Sequence, residues 1–460
     1  MLCFFCEKTA AAGFWCIIDY MNEYFLNEIR TLFPDEYDDI ISSFSREMYR
    51  SIRINRLKCG KKELELEGFD LKESTPFDPD SCYITTEEKL GNHPFHNAGC
   101  YYLQEPSAAM AVNVLGVEKG DLVADLCRAP GGKSTQILNR LDGTGLLWSN
   151  EINWKRCQIL LSNLERWGYQ NYVLTSLNTR EIASMAAGLF DKVLVDAPCS
   201  GASMFKKYPD TVNDYNEAAV KACQKRQLEI LENAYQLLKS DGVLVYSTCT
   251  FNLVENEETV YLFLQRHPDM QLEDAALGYG HKGLNYKDLN SQLLARVLPT
   301  DGGEGHFAAR MRKTGSSLTK HPAVTENSHN GLVDAFLKEY GISTQYFIKD
   351  NEVYACPMPL SIRKGVIREG ILLGTLEKNR FEPHHHLFMC PQFAEEFRQK
   401  YEITDRDRLI KYMKGESVDV SGYKGYVAIS YKGKTLGFAK GDGRQLKNRL
   451  PKGLRNTNVL

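Results

Sequence analysis

Between about residues 100 and 313, short apolar runs alternate with longer stretches whose apolar positions recur every three or four residues. The runs at 122–126, 146–149, 172–175, 193–195 and 243–246 have the length and bounding turn residues of buried strands. Between them, residues 152 to 167 and 217 to 239 carry helical spacing; in the second, Leu228, Leu231, Tyr235 and Leu238 form one stripe. This alternation predicts an α/β fold, a mainly parallel sheet covered by helices on both faces. Such a sheet binds ligands just past the carboxyl ends of its strands.

The flanks follow other patterns. Residues 21–99 mix helical and strand-like segments, and period-two alternation over 52–58 predicts a strand with a basic face. A polar, aperiodic stretch at 314–331 reads as a linker. Two small modules follow, at 332–391 and 392–460. In the second, strand-like runs at 425–430 and 436–438 separated by glycine turns suggest a small β-barrel. The domain expected at the centre spans 100–313. Residues 1–20 are apolar apart from Glu7 and Lys8 and lack a signal-peptide pattern, so they read as an upstream mis-start or a dispensable extension.

At 460 residues, the chain has room for two to four domains. Hydrophobic residues at 43% and charged residues at 25% are those of a globular protein, and no apolar run approaches the roughly 20 residues of a membrane span. The 13 cysteines follow no repeated spacing, which favours reduced thiols in the cytoplasm over a disulfide framework. A net charge of −3 excludes a globally basic nucleic-acid binder, so any positive surface must be local. Lys440, Arg444, Lys447, Arg449, Lys452 and Arg455 share their segment with one acid, Asp442; they form a phosphate-binding patch or a solvated tail. His384-His385-His386 has no Cys or carboxylate ligands at metal spacing, and no metal is expected.

Three strand ends carry the candidate chemistry. The first runs from Asp125-Leu126-Cys127 through Arg128 into Ala129-Pro130-Gly131-Gly132-Lys133-Ser134, the second is Asp196-Ala197-Pro198-Cys199-Ser200-Gly201, and the third Tyr246-Ser247-Thr248-Cys249-Thr250. Two thiols and a glycine loop at one sheet edge make an enzyme site. Gly131 and Gly132 let a cofactor approach the backbone and lead into a helix whose first amides can receive a carboxylate. Neither dinucleotide nor phosphate-loop spacing is present, since the first glycine of a phosphate loop would fall on Cys127. Glu151, after the second strand, stands where an acid holds ribose hydroxyls, or simply starts a helix.

These motifs, in this order, resemble the RNA cytosine carbon-5 methyltransferases of the Nop2/Sun superfamily, and within it the bacterial RsmF-type 16S ribosomal RNA methyltransferases. The resemblance extends to His93-Pro94-Phe95-His96, Gln104-Glu105-Pro106-Ser107-Ala108, Gly303-Glu304-Gly305-His306-Phe307 and the segment from Leu446 to Arg455. It implies a Rossmann-like S-adenosylmethionine methyltransferase core, a small α+β RNA-contacting subdomain before it, and RNA-binding modules after it, the last PUA-like. It also implies Cys249 as nucleophile toward cytosine carbon 6, Cys199 assisting release, Asp196 holding the base, and Lys133 as accessory. Residues 127–133, Glu151, Asn178 and Asp196 would hold S-adenosylmethionine; Cys127 would pack against it. Arg156 matches a family position or is a surface charge. Arg53, Arg56, Lys206 and the basic residues from Lys440 to Arg455 would contact RNA, with ribosomal RNA or the small subunit as partner and the enzyme a monomer. The chain departs from the family pattern at Arg128 (usually Ala), Ala202-Ser203 (usually Glu-Gly) and Thr300 (often His). Transfer RNA methylation and a ribosome-assembly or RNA-binding factor with a degenerate site are the alternatives; DNA methylation is disfavoured because enzymes of that kind use the Pro-Cys thiol.

Overall fold

The structure, a computed structural model, describes residues 21–85, 89–127, 129–275, 277–315, 323–362, 364–456 and 458. The expected extension at 1–20 and Arg128 lie outside the described residues. At the centre, each expected apolar run is a strand: β1 (Leu122–Asp125), β2 (Leu146–Asn150), β3 (Tyr172–Thr175), β4 (Phe190–Asp196) and β5 (Leu238–Thr248). They pair in parallel in the order β5-β4-β1-β2-β3, and β6 (His306–Lys313) closes antiparallel on β5. Val123, Val193, Leu194, Leu244 and Val245 are fully buried because helices cover both faces. Strand order reverses between β1 and β4, which opens a crevice at their carboxyl ends.

Four helices matter for the site: α1 (Gly132–Leu141), α2 (Trp154–Trp167), α3 (Thr179–Ala186) and α4 (Glu217–Leu237). Asn153, Asn178 and Asn216 cap the last three by accepting first-turn amides, which fixes where each chain segment leaves its strand.

The amino-terminal segment forms an antiparallel four-stranded sheet in the order Leu71–Thr75, Asp78–Ile84, Ser51–Ile54, Tyr101–Gln104. Its last strand lies beyond the division expected at residue 100. The basic-faced strand expected over 52–58 is shorter and wholly buried. It ends at Ile54, and Asn55 turns the chain by accepting the amides of Lys58 (3.0 Å) and Cys59 (3.0 Å). Arg53 therefore faces the core rather than RNA. It donates to Gly132 O (2.7 Å), Thr135 Oγ1 (2.6 Å) and Gln104 Oε1, and packs on the rings of Tyr102 and Trp167. An inner strand with covered faces leaves a side chain no route to solvent, which the alternating sequence pattern does not reveal.

The first carboxyl-terminal module has its own antiparallel sheet, Phe347–Lys349, Glu352–Ala355, Ile371–Glu377 and Arg380–Pro383. It also lends Val366–Glu369 to the core as an edge strand beside β3. Of the linker expected before it, residues 323–330 are tied to this module, with Thr325 donating to Pro359 O (2.8 Å) and Ser328 to Tyr346 O (2.8 Å). In the last module, Lys400–Ile403, Lys424–Tyr431, Lys434–Asp442 and Leu446–Asn448 form a mixed sheet with the helix Arg406–Lys414. Its core is continuous with the amino-terminal sheet: Leu409, Val427 and Ile429 cluster with Ile52, Ile54 and Tyr101. Lys432 pairs with Glu67 (2.8 Å) across this junction.

Acid should destabilise this packing. Burial pushes His93 down to about 4 and His96, His384 and His385 to about 3. Each gains a proton near pH 6.5 when unfolded but far lower when folded, so stability is complete above about pH 6.5 and falls below it. Each contributes up to about 1.4 kcal/mol per pH unit. Glu28 and Glu369, raised to about 7 by burial, act in the opposite sense. Scanning calorimetry should show the Tm falling between pH 6.5 and 5; a rising Tm would mean that the carboxyls dominate.

Candidate active site

The crevice is a cleft of about 950 Å³. Its walls include Cys127, Ala129, Pro130, Gly132 and Lys133 after β1, Glu151 after β2, Asn178 after β3, and Asp196 and Cys199 after β4; Cys249 after β5 and His306 on β6 complete it. Residues far apart in sequence, from Cys127 to His306, thus meet at one sheet edge. All the described residues proposed from sequence for chemistry or cofactor lie here, apart from Gly131, which precedes α1.

The two loops bearing cysteine are drawn together. Cys199 Sγ lies 3.3 Å from Cys249 Sγ. Both thiols are half-buried. The shared hydrogen bond lowers Cys249 below the ordinary thiol value and raises Cys199 well above it; the Lys133 ammonium lowers Cys249 further. Burial and the Asp196 carboxylate oppose the downward shift of Cys249, but its direction makes Cys249 the more acidic thiol of the pair.

Behind the thiols, Asp196 Oδ1 meets three groups: Lys133 Nζ (2.8 Å), Ser247 Oγ (2.8 Å) and His306 Nε2 (3.3 Å). Lys133 and His306 are buried, and burial followed by the nearby Lys133 charge pushes His306 below the usual imidazole range. His306 Nε2 approaches Asp196 at 3.3 Å without a hydrogen bond to the described residues.

The buried Glu255 carboxylate holds the loops in register. It accepts Ser200 N (3.0 Å), Ser200 Oγ, Gln227 Nε2 (2.7 Å) and Asn252 Nδ2 (2.8 Å). Gln227 on α4 also donates to Pro198 O (3.1 Å), and Ser203 N donates to Cys249 O (3.1 Å). His306, Ser247 and Glu255 had no role in the sequence reading. The signal for each was its place in or just after a recognised motif.

The glycine loop is shaped by neighbouring protein as well as by any ligand. Gly131 has φ +115°, and a Cβ there would stand 2.9 Å from Leu160 Cδ1. A Cβ at Gly132 would meet the Gln104 amide at 3.0 Å. Arg156 donates to Ala129 O (2.9 Å) and Asn163 to Pro130 O (2.7 Å), so α2 clamps the loop. Arg156 therefore holds the loop, beyond being a surface charge. Glu151 is buried with Oε1 accepting Asn153 N (3.0 Å), and Asn178 accepts Arg180 N (2.9 Å) as the cap of α3.

Comparisons with known proteins agree along the chain. Residues 21–106 match the N-terminal domain of 16S rRNA methyltransferase RsmF, and 112–312 the 16S rRNA methyltransferase RsmB/F family. Residues 334–390 match the RsmF rRNA methyltransferase first C-terminal domain, and 400–456 the methyltransferase RsmF PUA domain. The ribosomal RNA small subunit methyltransferase F of Aliivibrio fischeri (strain MJ11) is 30% identical over 95% of this chain and 98% of its own. The chain belongs to the RsmF family of ribosomal RNA methyltransferases. A second RsmF relative, from Psychromonas ingrahamii, is 27% identical over 95% of this chain and 97% of its own. Among solved structures, a methyltransferase homolog protein from Pyrococcus horikoshii is similar at 26% identity and TM-score 0.58, covering 66% of this chain and 99% of its own. NSun6 from Pyrococcus horikoshii with SFG, at 21% identity and TM-score 0.58, covers 65% of this chain and 100% of its own and shares the fold.

RsmF membership makes this chain an S-adenosylmethionine-dependent ribosomal RNA methyltransferase with a PUA module at its carboxyl end. The basic residues expected to touch RNA are differently placed. Besides the buried Arg53, Lys206 is committed to Glu304 at 2.7 Å with a side chain only 9% exposed, so it is an internal ion pair. Arg56 is exposed but paired with Asp80 (2.5 Å). In the PUA module Lys447 pairs with Asp442 (3.1 Å) and Arg449 with Glu382 (3.8 Å), while Lys440 packs on the Tyr426 ring. Arg455 folds back on Leu450 O (3.3 Å). Arg444 and Lys452 are exposed without a carboxylate partner among the described residues.

Iodoacetamide at pH 7 should alkylate Cys249 ahead of the other thiols of the described chain, and Lys133→Gln should slow that reaction severalfold. Mass spectrometry of peptides checks both. Faster labelling of Cys199 would reverse the order of acidity.

Proposed function

We propose that this RsmF-family enzyme forms 5-methylcytosine in small-subunit ribosomal RNA through a covalent cysteine adduct, with Cys249 as nucleophile. The carrying observation is the sulfur pair at 3.3 Å beside the Lys133–Asp196 ion pair, in one cleft with the glycine loop.

Carbon 5 of cytosine is a weak nucleophile until a thiolate adds at carbon 6. The Cys249 thiolate forms the sulfur–carbon 6 bond, and the displaced electron pair makes carbon 5 enamine-like. Asp196, held by Lys133 and Ser247, would accept a hydrogen bond from the exocyclic amino group, and the Lys133 ammonium beside it offsets the negative charge that develops on the ring. Once carbon 5 has taken a methyl group, water acting as base accepts the carbon 5 proton, the C–H electron pair re-forms the carbon 5–carbon 6 double bond, and the sulfur–carbon 6 bond breaks with its electron pair returning to Cys249. Cys199 assists this release, being in contact with the departing sulfur.

S-adenosylmethionine, when bound, supplies an electrophilic methyl group. The residues present fit it: α1 begins at Gly132 without a side-chain cap, so its first amides can receive a carboxylate. The buried Glu151 suits a ribose diol, Asn178 lies on the same wall for a base edge, and Cys127 and Ala129 pack beneath. The target cytosine must be unpaired or flipped to reach a thiol at this depth.

With small-subunit ribosomal RNA and S-adenosylmethionine, Cys199→Ala should accumulate a protein–RNA adduct that survives denaturation, and Cys249→Ala should form none. Both should lose turnover by at least about a hundredfold. Adduct accumulation in Cys249→Ala instead would exchange the roles of the two thiols.

A further inference from the structure

Beside the Pro-Cys loop the chain builds an outcrop that the reaction itself does not use. Ser203 N is bonded to Cys249 O, Met204 N to Gly201 O (2.8 Å), and Tyr208 N to Met204 O (2.8 Å), so Tyr208 stands one turn beyond the thiol pair. Its carbonyl accepts Thr211 N (3.0 Å) and Thr211 Oγ1 (2.6 Å), which fixes the backbone on both sides. The flanking Phe205, Val212 and Tyr215 are buried against Phe25, Leu26 and Ile29 of the amino-terminal helix Glu23–Leu32. The outcrop is thus anchored to the core, yet the Tyr208 ring is 52% exposed and lines the cleft. Its hydroxyl makes no hydrogen bond to the described residues. A rigidly mounted aromatic left in solvent at the rim of a site calls for an occupant.

The neighbouring charges indicate which occupant. Lys207, unlike Lys206, is exposed and lines the cleft, with Nζ 5.3 Å from the Tyr208 ring centre. Arg226, exposed on α4, also lines the cleft, next to the Gln227 that holds Pro198. Neither cation has an ion-pair partner among the described residues. Glu229, one turn along, is the opposing charge on that wall. An exposed ring with one cation beside it, a second cation lining the same cleft, and thiols in that cleft match a nucleotide: a base face on the ring and phosphates on the cations.

We propose that Tyr208, Lys207 and Arg226 form a subsite for the nucleotide adjoining the target cytosine, with its base stacked on Tyr208 and its phosphates held by the two cations. The inference rests on the cytosine methyltransferase reading above and extends it: the RNA enters as a locally unpaired strand of at least two nucleotides. Stacking tolerates any base, so this subsite contributes affinity and alignment rather than sequence choice.

The test is the affinity of the full chain for a fluorescein-labelled single-stranded RNA oligonucleotide containing one cytosine, measured by anisotropy at several salt concentrations. Methyl transfer to the same oligonucleotide and to small-subunit ribosomal RNA is measured in parallel. Tyr208→Ala should weaken RNA binding about ten- to hundredfold, while Tyr208→Phe and Tyr208→Trp keep most of it. Lys207→Ala and Arg226→Ala should each lower the salt slope by about 0.7. Calorimetric S-adenosylmethionine affinity unchanged in all variants would show that the cleft is intact. Equal binding by Tyr208→Ala and the unmodified chain overturns the proposal, as does an equal loss in Tyr208→Phe, which would assign the effect to the hydroxyl. If the unmodified chain makes no 5-methylcytosine while Tyr208→Ala still loses RNA, the stacking subsite stands and the cytosine reading falls.

Discussion

The buried carboxylate of Glu255 sets the distance between the two cysteine loops. Hydrogen bonds from Ser200, Gln227 and Asn252 converge on it, tying the loop after β4 to the segment after β5 and to α4. In water such an arrangement would gain little, because each donor would be solvated anyway. In the interior, every unmade bond costs about 1–3 kcal/mol, so the loops have one favourable arrangement. The 3.3 Å contact between sulfurs is a consequence of that arrangement. Two free strand ends would otherwise place their thiols with the latitude of ordinary loops.

A similar economy governs the charged groups. Lys133 is buried against the half-buried Asp196, and a lone cation at that depth would cost several kcal/mol. Ser247 adds a hydrogen bond to the same carboxylate, and His306 stands 3.3 Å from it. The amino-terminal sheet closes the other side. Arg53 spends its donors on Gly132 O, Thr135 and Gln104, and Gln104 in turn packs on Gly132. That sheet is thus part of the wall of the site. The last module packs on the same sheet, its Leu409, Val427 and Ile429 clustering with Ile52, Ile54 and Tyr101.

The central sheet was legible along the chain because buried parallel strands are short apolar runs and their covering helices repeat at helical spacing. The motifs were legible because each reacting group sits at a strand end, where sheet topology delivers it to the crevice. Boundaries and faces were less so. The strand Tyr101–Gln104 and the edge strand Val366–Glu369 pair with partners distant in sequence, and a short polar-apolar pattern does not name its partner. Arg53 and Arg56, three residues apart, looked equivalent; one occupies an inner strand under two covers, and the other a turn beside Asp80.

Sequence by itself determined the fold class, the family and the motifs whose residues meet in the cleft, since these depend on local periodicity and on residue types at fixed positions after each strand. Tertiary structure alone decided how close the two thiols stand, which cations face solvent and what holds the cysteine loops. Those properties arise from groups meeting across long separations: Lys206 with Glu304, Arg449 with Glu382, His306 with Asp196. A basic residue counted along the chain is a charge; whether it binds RNA or neutralises a carboxylate depends on what folding places within about 4 Å of it.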